Sequence, residues 1–347
     1  MNSMLKSNII VIILYMFSFY LMIFIPIIII STIISITSTS WFSCWLGLEI
    51  NLMSFVPLLT NEKKSNSSSF IYYLIQSFSS SLFLFTIILN FMNILNYMNF
   101  FINLIMNFSM IFKLGMAPVY FWFPDMMNKI NWMNCLILST WQKISPMILI
   151  SYSMNYFLLY FCTFLSSFIG SIYSINQMSI RKILSFSSIN HMSWMMMCLM
   201  SSETLWIMYF IFYSIINIFI MNLFKNYHIY FFNQLLNFYF KNNFKFMIFF
   251  SFMSLGGLPP LLGFLMKYMT IKMMIFLKMY FILSILLINS LIILYTYLRM
   301  MFINQFLYND NNKMNLLNYM NMLNMNHLST MNLISLIFFL LIMYMYL

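Results

Sequence analysis

An all-helical polytopic membrane protein with about eleven transmembrane helices is the predicted fold class. Three observations predict it. Of the 347 residues, 63% are hydrophobic and only 6% are charged, whereas a soluble domain carries roughly a quarter charged residues. The apolar runs recur at the length of a bilayer crossing, roughly 20 residues, with short polar stretches between them. The basic residues fall almost entirely on one side of the resulting topology. Soluble, disordered, collagen-like and disulfide-scaffold folds are excluded. The four cysteines, Cys44, Cys135, Cys162 and Cys198, are too scattered for an iron–sulfur or zinc spacing.

The elements follow in order within one transmembrane domain spanning 1–347. Residues 9–38 form the first helix with an N-terminal extension, too long for one upright crossing, and Pro26 is placed to bend it. The second helix is 41–59, and 60–69 is a polar loop. The third is 70–90, and 97–126 holds the fourth with a break inside. The fifth, sixth, seventh and eighth are 132–154, 156–175, 180–200 and 204–223. The segment 227–242 alternates aromatics with Asn and His, which suits the interface. The ninth, 244–272, is again broken, and the tenth is 275–302. Residues 304–327 read as an Asn-rich surface linker, and 328–347 as the last helix. The first half of the domain is therefore 41–175 and the second 180–302.

This topology places Lys6, Lys63, Lys64, Lys129, Arg181, Lys182, Lys225, Lys241, Lys245, Arg299 and Lys313 on the side of the N-terminus, with only Lys272 and Lys278 opposite. The positive-inside rule puts the N-terminus in the matrix or cytoplasm and the C-terminus outside. The net charge of +11 is thus topological. It forms no basic stripe for nucleic acid. One Ala and three Val stand against 39 Met and 41 Phe. Membrane packing favours small residues, so this composition points instead to a very A/T-rich genome of mitochondrial type, an A/T-rich bacterium being the alternative. The short polar start, 1–8, lacks an Arg-rich import segment.

Three lysines and a glutamate remain deep in apolar runs: Lys113, Lys143, Lys267 and Glu49. A charge at mid-bilayer costs at least ~2.5–3.5 kcal/mol. Lys143 lies about 16 Å into its helix at ~1.5 Å per residue, and His191 is at similar depth. Lys113 precedes Gly115 and Pro118, and Lys267 follows Gly256, Gly257, Pro259, Pro260 and Gly263. Pro removes an amide donor and Gly loosens the helix. The freed carbonyls require water or neighbouring protein, so a break marks a hydrated cavity. Desolvation favours a neutral amine, and a nearby carboxylate favours the ammonium. A lysine in such a cavity can therefore be loaded and unloaded with a proton. Broken helices in two halves of a chain also suit an inverted-repeat transporter. A static buried ion pair is the alternative for each lysine, and a hydrogen-bonded packing role for His191. His228, His327, Glu62, Asp125, Glu203 and Asp310 read as surface or loop residues.

Five motifs in one order carry a resemblance: WFSCWLGLEIN at 41–51, KLGMAPVYFWFP at 113–124, TWQKISP at 140–146, RKILSFSSINHMSW at 181–194 and SLGGLPPLLGFLMK at 254–267. From about Thr37 to Arg299 the chain resembles the antiporter-like membrane-arm subunits of mitochondrial NADH–ubiquinone oxidoreductase (complex I), in the subunit 2 family. The resemblance implies an insect or other animal with an A/T-rich mitochondrial genome, and a multi-pass location in the mitochondrial inner membrane. It implies that Glu49 modulates Lys113, that Lys143 and His191 belong to a hydrated midplane axis, and that Lys267 leads towards the intermembrane space. Met266 stands where the animal family usually has Pro, and the N-terminus is about fourteen residues longer than usual.

The resemblance further implies a proton-translocating subunit without cofactor or metal, flavin, iron–sulfur clusters and ubiquinone being handled by other subunits. The chain itself has no Gly-rich phosphate loop and no cysteine ligand set. Expected partners are neighbouring antiporter-like and small membrane subunits, supernumerary subunits and lipids such as cardiolipin. A Na⁺/H⁺ antiporter subunit of the same superfamily and a non-conducting spacer are the rival readings.

Overall fold

The computed structural model describes residues 22–60, 66–92, 99–237, 242–259 and 261–306. The start of the first predicted helix, Pro260, nearly all of the linker 304–327 and the last helix 328–347 lie outside the described residues. So do Lys6, Glu62, Lys63, Lys64, Lys241, Asp310, Lys313 and His327.

The described residues are helical throughout, apart from turns, one 3-10 segment and an isolated bridge between Ser179 and Phe231. The chain divides between Leu158 and Leu159 into two compact units. The first holds α1 (Met22–Thr37), α2 (Trp41–Thr60), α3 (Asn66–Phe91), α4 (Asn99–Leu114), α5 (Trp122–Lys129), α6 (Trp132–Ser139) and α7 (Ile144–Tyr152). The second holds most of α8 (Tyr156–Ile175), then α9 (Ile180–Ser201), α10 (Glu203–Asn226), α11 (Phe232–Asn237), α12 (Asn242–Gly256), α13 (Leu262–Phe276) and α14 (Tyr280–Phe306). Five of the described helices are long and apolar enough to cross a bilayer.

The predicted helices at 41–59, 70–90, 156–175, 180–200 and 204–223 coincide closely with α2, α3, α8, α9 and α10. Both predicted breaks are present, between α4 and α5 and between α12 and α13. One expectation is corrected. The fifth predicted helix, 132–154, is not continuous: a 3-10 turn, Trp141–Lys143, separates α6 from α7. Its cause is Pro146, the third residue of α7. Without an N–H, Pro146 cannot bond the Gln142 carbonyl, while it fits readily in the first turn of a new helix. The described structure thus holds three interruptions where two were expected.

In the first unit, α3 packs between α2 and α4, and α4 packs on α7. The orphan carbonyls at helix C-termini find side-chain donors. Asn134 Nδ2 donates to Leu58 O at 3.1 Å and Asn107 Nδ2 to Ser153 O at 2.6 Å. In the second unit α9 is buried along nearly its whole length and packs against α10, α13 and α14. Its Ser185, Ser187, Ser188 and Ser193 hydroxyls all donate to the carbonyl three residues back. This hides their polarity and leaves small surfaces for close approach. At Gly170 of α8, an added Cβ would lie 2.7 Å from Phe186 O and 2.9 Å from Asn190 N of α9.

Candidate functional site

The first break begins as a glycine-terminated helix end. Gly115 has φ +67°. Its amide bonds Phe112 O at 3.2 Å, and the Met116 amide bonds Ile111 O at 3.3 Å, the paired pattern of a Schellman cap. Pro118, joined to Ala117 by a cis peptide, lies in the segment leading to α5. Lys113 is in the last turn of α4, where the helix dipole favours a cation. It is only 7% exposed. Its carbonyl accepts a hydrogen bond from Gln76 Nε2 of α3 at 3.2 Å. Glu49, half-buried on α2, is close enough to act on Lys113 coulombically.

An added Cβ on Gly115 would lie 2.9 Å from Phe123 Cβ and 3.1 Å from Trp122 Cζ2. Gly115→Ala therefore combines a left-handed backbone, costing roughly 1–2 kcal/mol for a residue with Cβ, with a clash across the break. The expected result is a lower thermal unfolding midpoint of the assembled complex. An unchanged midpoint would show that the break does not depend on this turn.

Lys143 ends the 3-10 turn and is 2% exposed. Its amide bonds Thr140 O at 3.1 Å, and its Nζ lies 5.1 Å from the centroid of the Phe123 ring, within cation–π range. Lys113 and Lys143 line one cavity, together with Asn51, Gln76, Gln142 and Ser145. The space open to water centres is ≈ 20 Å³, more than the ~10–15 Å³ one water needs. Two polar groups of its lining residues, Ser145 Oγ and Trp122 Nε1, are buried without a hydrogen-bond partner among the described residues. Asn51 and Gln142 bond each other reciprocally at 3.0 and 2.9 Å.

The second unit repeats the cap. Gly257 has φ +81°. Its amide bonds Ser254 O at 3.1 Å, and the Leu258 amide bonds Met253 O at 3.2 Å. Lys267, 7% exposed on α13, donates from Nζ to Gly256 O at 2.7 Å. It thereby caps the end of α12 from across the break. Its side chain runs against Gly257, where an added Cβ would lie 2.9 Å from Lys267 Cδ. Gly263 is still closer packed: an added Cβ would overlap Ser254 O. Gly256 itself is the last residue of α12, and its nearest neighbours would be at an ordinary 3.5 Å. Pro259 is in the connecting segment. Met266 is buried inside α13, which is continuous there.

His191, 2% exposed, projects from α9 onto α10. Its Nδ1 is 2.9 Å from Tyr209 Oη, and its ring packs on Tyr213 at 5.2 Å between centroids. Tyr213 in turn shares hydrogen bonds with Ser188 and Asn217. His191 thus sits in a buried hydroxyl and amide cluster that the sequence reading did not assemble. Asn51, Gln76 and Gln142 carry no local sequence motif that marks them as lining a site. The available signal was carboxamides inside apolar helices, where each polar group must find a partner.

Comparison with known proteins places this chain in a family. The family model described as "NADH:quinone oxidoreductase/Mrp antiporter, TM" matches residues 38–293, more than half of the chain. The chain is 45% identical over 291 residues to the NADH–ubiquinone oxidoreductase chain 2 of Aedes aegypti, covering 82% of this chain and 85% of that one. It is 41% identical over 287 residues to the Anopheles gambiae protein of the same name, covering 81% and 84%. This chain belongs to the NADH–ubiquinone oxidoreductase chain 2 family. As a chain 2 protein it is a multi-pass membrane subunit of NADH:ubiquinone oxidoreductase. Its fold resembles a chain of the respiratory complex I from Thermus thermophilus with bound aureothin, with TM-score 0.76 and 18% identity, covering 82% of this chain and 70% of that one. Among the described residues, no cluster of three His, Cys, Asp or Glu side chains could hold a metal ion.

Proposed function

We propose that this chain conducts protons from the mitochondrial matrix to the intermembrane space as the chain 2 subunit of complex I. The observation that carries the reading is the shared cavity of Lys113 and Lys143. Two buried lysine side chains meet there at helix interruptions, in a space with room for water, lined by polar groups that lack a hydrogen-bond partner among the described residues. A charge kept at such depth against its desolvation cost suits proton or ion movement. In this reading Glu49 biases the charge state of Lys113, Lys143 passes charge along the membrane midplane, and His191 and Lys267 continue the route in the second unit. The repeated glycine cap at Gly115 and Gly257 supports an inverted-repeat architecture, while the apolar run lengths and the one-sided basic residues support eleven crossings with the N-terminus in the matrix and the C-terminus outside.

Redox chemistry belongs to other chains, which carry the flavin, the iron–sulfur clusters and the ubiquinone site. Neighbouring antiporter-like and small membrane subunits, supernumerary subunits and lipids such as cardiolipin surround this one. An experimental map of the assembled complex, sharp enough to show water, tests the reading. Ordered water between Lys113 and Lys143 is expected in at least one catalytic state. A dry cavity in every state would leave the chain a structural spacer.

A further inference from the structure

We propose that the Asn51–Gln142 amide pair gates proton passage between Lys113 and Lys143, an inference that rests on the conduction reading above. The two carboxamides tie α2 to the 3-10 turn, with Asn51 Nδ2 donating to Gln142 Oε1 at 3.0 Å and Gln142 Nε2 donating to Asn51 Oδ1 at 2.9 Å. Both line the cavity that the two lysines share, and Gln142 directly precedes Lys143 in the turn. The turn is short. It is three residues long, closed by Lys143 N to Thr140 O at 3.1 Å and by Ile144 N to Trp141 O, and Pro146 has no N–H to offer the Gln142 carbonyl. The side-chain pair therefore pins the turn, and the position of Lys143 with it.

The chemistry of the pair suits a gate. A carboxamide neither gains nor loses a proton near neutral pH, so the closed pair offers no relay between the amines. Each closed amide uses one donor and one acceptor on its partner. When the pair opens, those groups turn to the cavity and can organise bridging water. A carboxylate in place of either would hold the proton.

The test uses the assembled complex in sealed vesicles, reading NADH oxidation and the proton-to-electron ratio together. Asn51→Leu and Gln142→Met each remove the pairing while nearly conserving volume, and the exchanged double variant Asn51→Gln/Gln142→Asn restores it. Loss of both hydrogen bonds shifts the opening equilibrium by about ten-fold or more. The single variants are then expected to lower the proton-to-electron ratio while NADH oxidation per assembled complex persists, and the exchanged pair to recover the ratio. Assembled single variants with an unchanged ratio would overturn the gate, as would an exchanged variant that assembles without recovery. If neither single variant assembles, the pair is a structural clamp and the gate is likewise overturned. Lys143→Met run in parallel separates the two ideas. If it leaves the ratio unchanged, the conduction reading itself fails; if it lowers the ratio and the amide variants do not, only the gate fails.

Discussion

Gly263→Ala is expected to prevent the two halves of the second broken helix from docking, and to deplete the assembled complex. The methyl carbon would overlap the carbonyl oxygen of Ser254 and lie 2.7 Å from its carbonyl carbon. Real Cβ atoms essentially never approach within 3.0 Å, and the obstacle is backbone rather than a flexible side chain. α12 and α13 must therefore separate, which pulls Lys267 Nζ away from Gly256 O, now 2.7 Å distant. Overpacking of this kind costs about 3 kcal/mol or more. The neighbouring change Gly256→Ala provides the contrast. Gly256 ends α12 without a positive φ, and its nearest neighbours would be at 3.5 Å. Relieving a helical glycine stabilises by roughly 0.5–1 kcal/mol, so this variant is expected to assemble normally. Native-gel quantification of the complex and its thermal midpoint decide the matter. Equal behaviour of the two variants would contradict the packing described at Gly263.

The contrast between these two glycines also marks how much the sequence discloses. Hydrophobic run length locates α2, α3, α8, α9 and α10 because their ends coincide with polar or capping residues. Pro and Gly next to a buried lysine disclose both glycine-capped breaks. They do not disclose which glycine turns the chain: that depends on φ and on the atoms facing each Cα, which composition does not carry. The interruption at Lys143 escapes for another reason. Its cause, Pro146, stands three residues beyond the lysine with no glycine beside it, and apolar residues continue on both sides. The buried lysines, Glu49 and His191 stand out as polar exceptions in apolar runs. Their surroundings arise from contacts far apart in sequence, such as Asn51 with Gln142 and His191 with Tyr209. Local periodicity cannot reveal those.

The second large effect is expected at Lys143. Lys143→Met shortens the side chain by one atom and removes the amine from a position only 2% exposed. Replacing a buried charge by an apolar side chain of similar size is often neutral for folding. The lost contact with the Phe123 ring is worth about 2 kcal/mol at a desolvated site. The complex is therefore expected to assemble, while charge can no longer pause at Lys143 in the cavity it shares with Lys113. Lys113, at the glycine cap of α4, remains in place and serves as the internal reference for an intact cavity.

The proton-to-electron ratio of assembled Lys143→Met complex in sealed vesicles tests most directly whether these buried amines carry protons. The proposed route predicts a ratio below that of the parent enzyme, with normal amounts of complex. A ratio and turnover equal to those of the parent would contradict it and leave the lysine a structural cation in a supporting helix bundle.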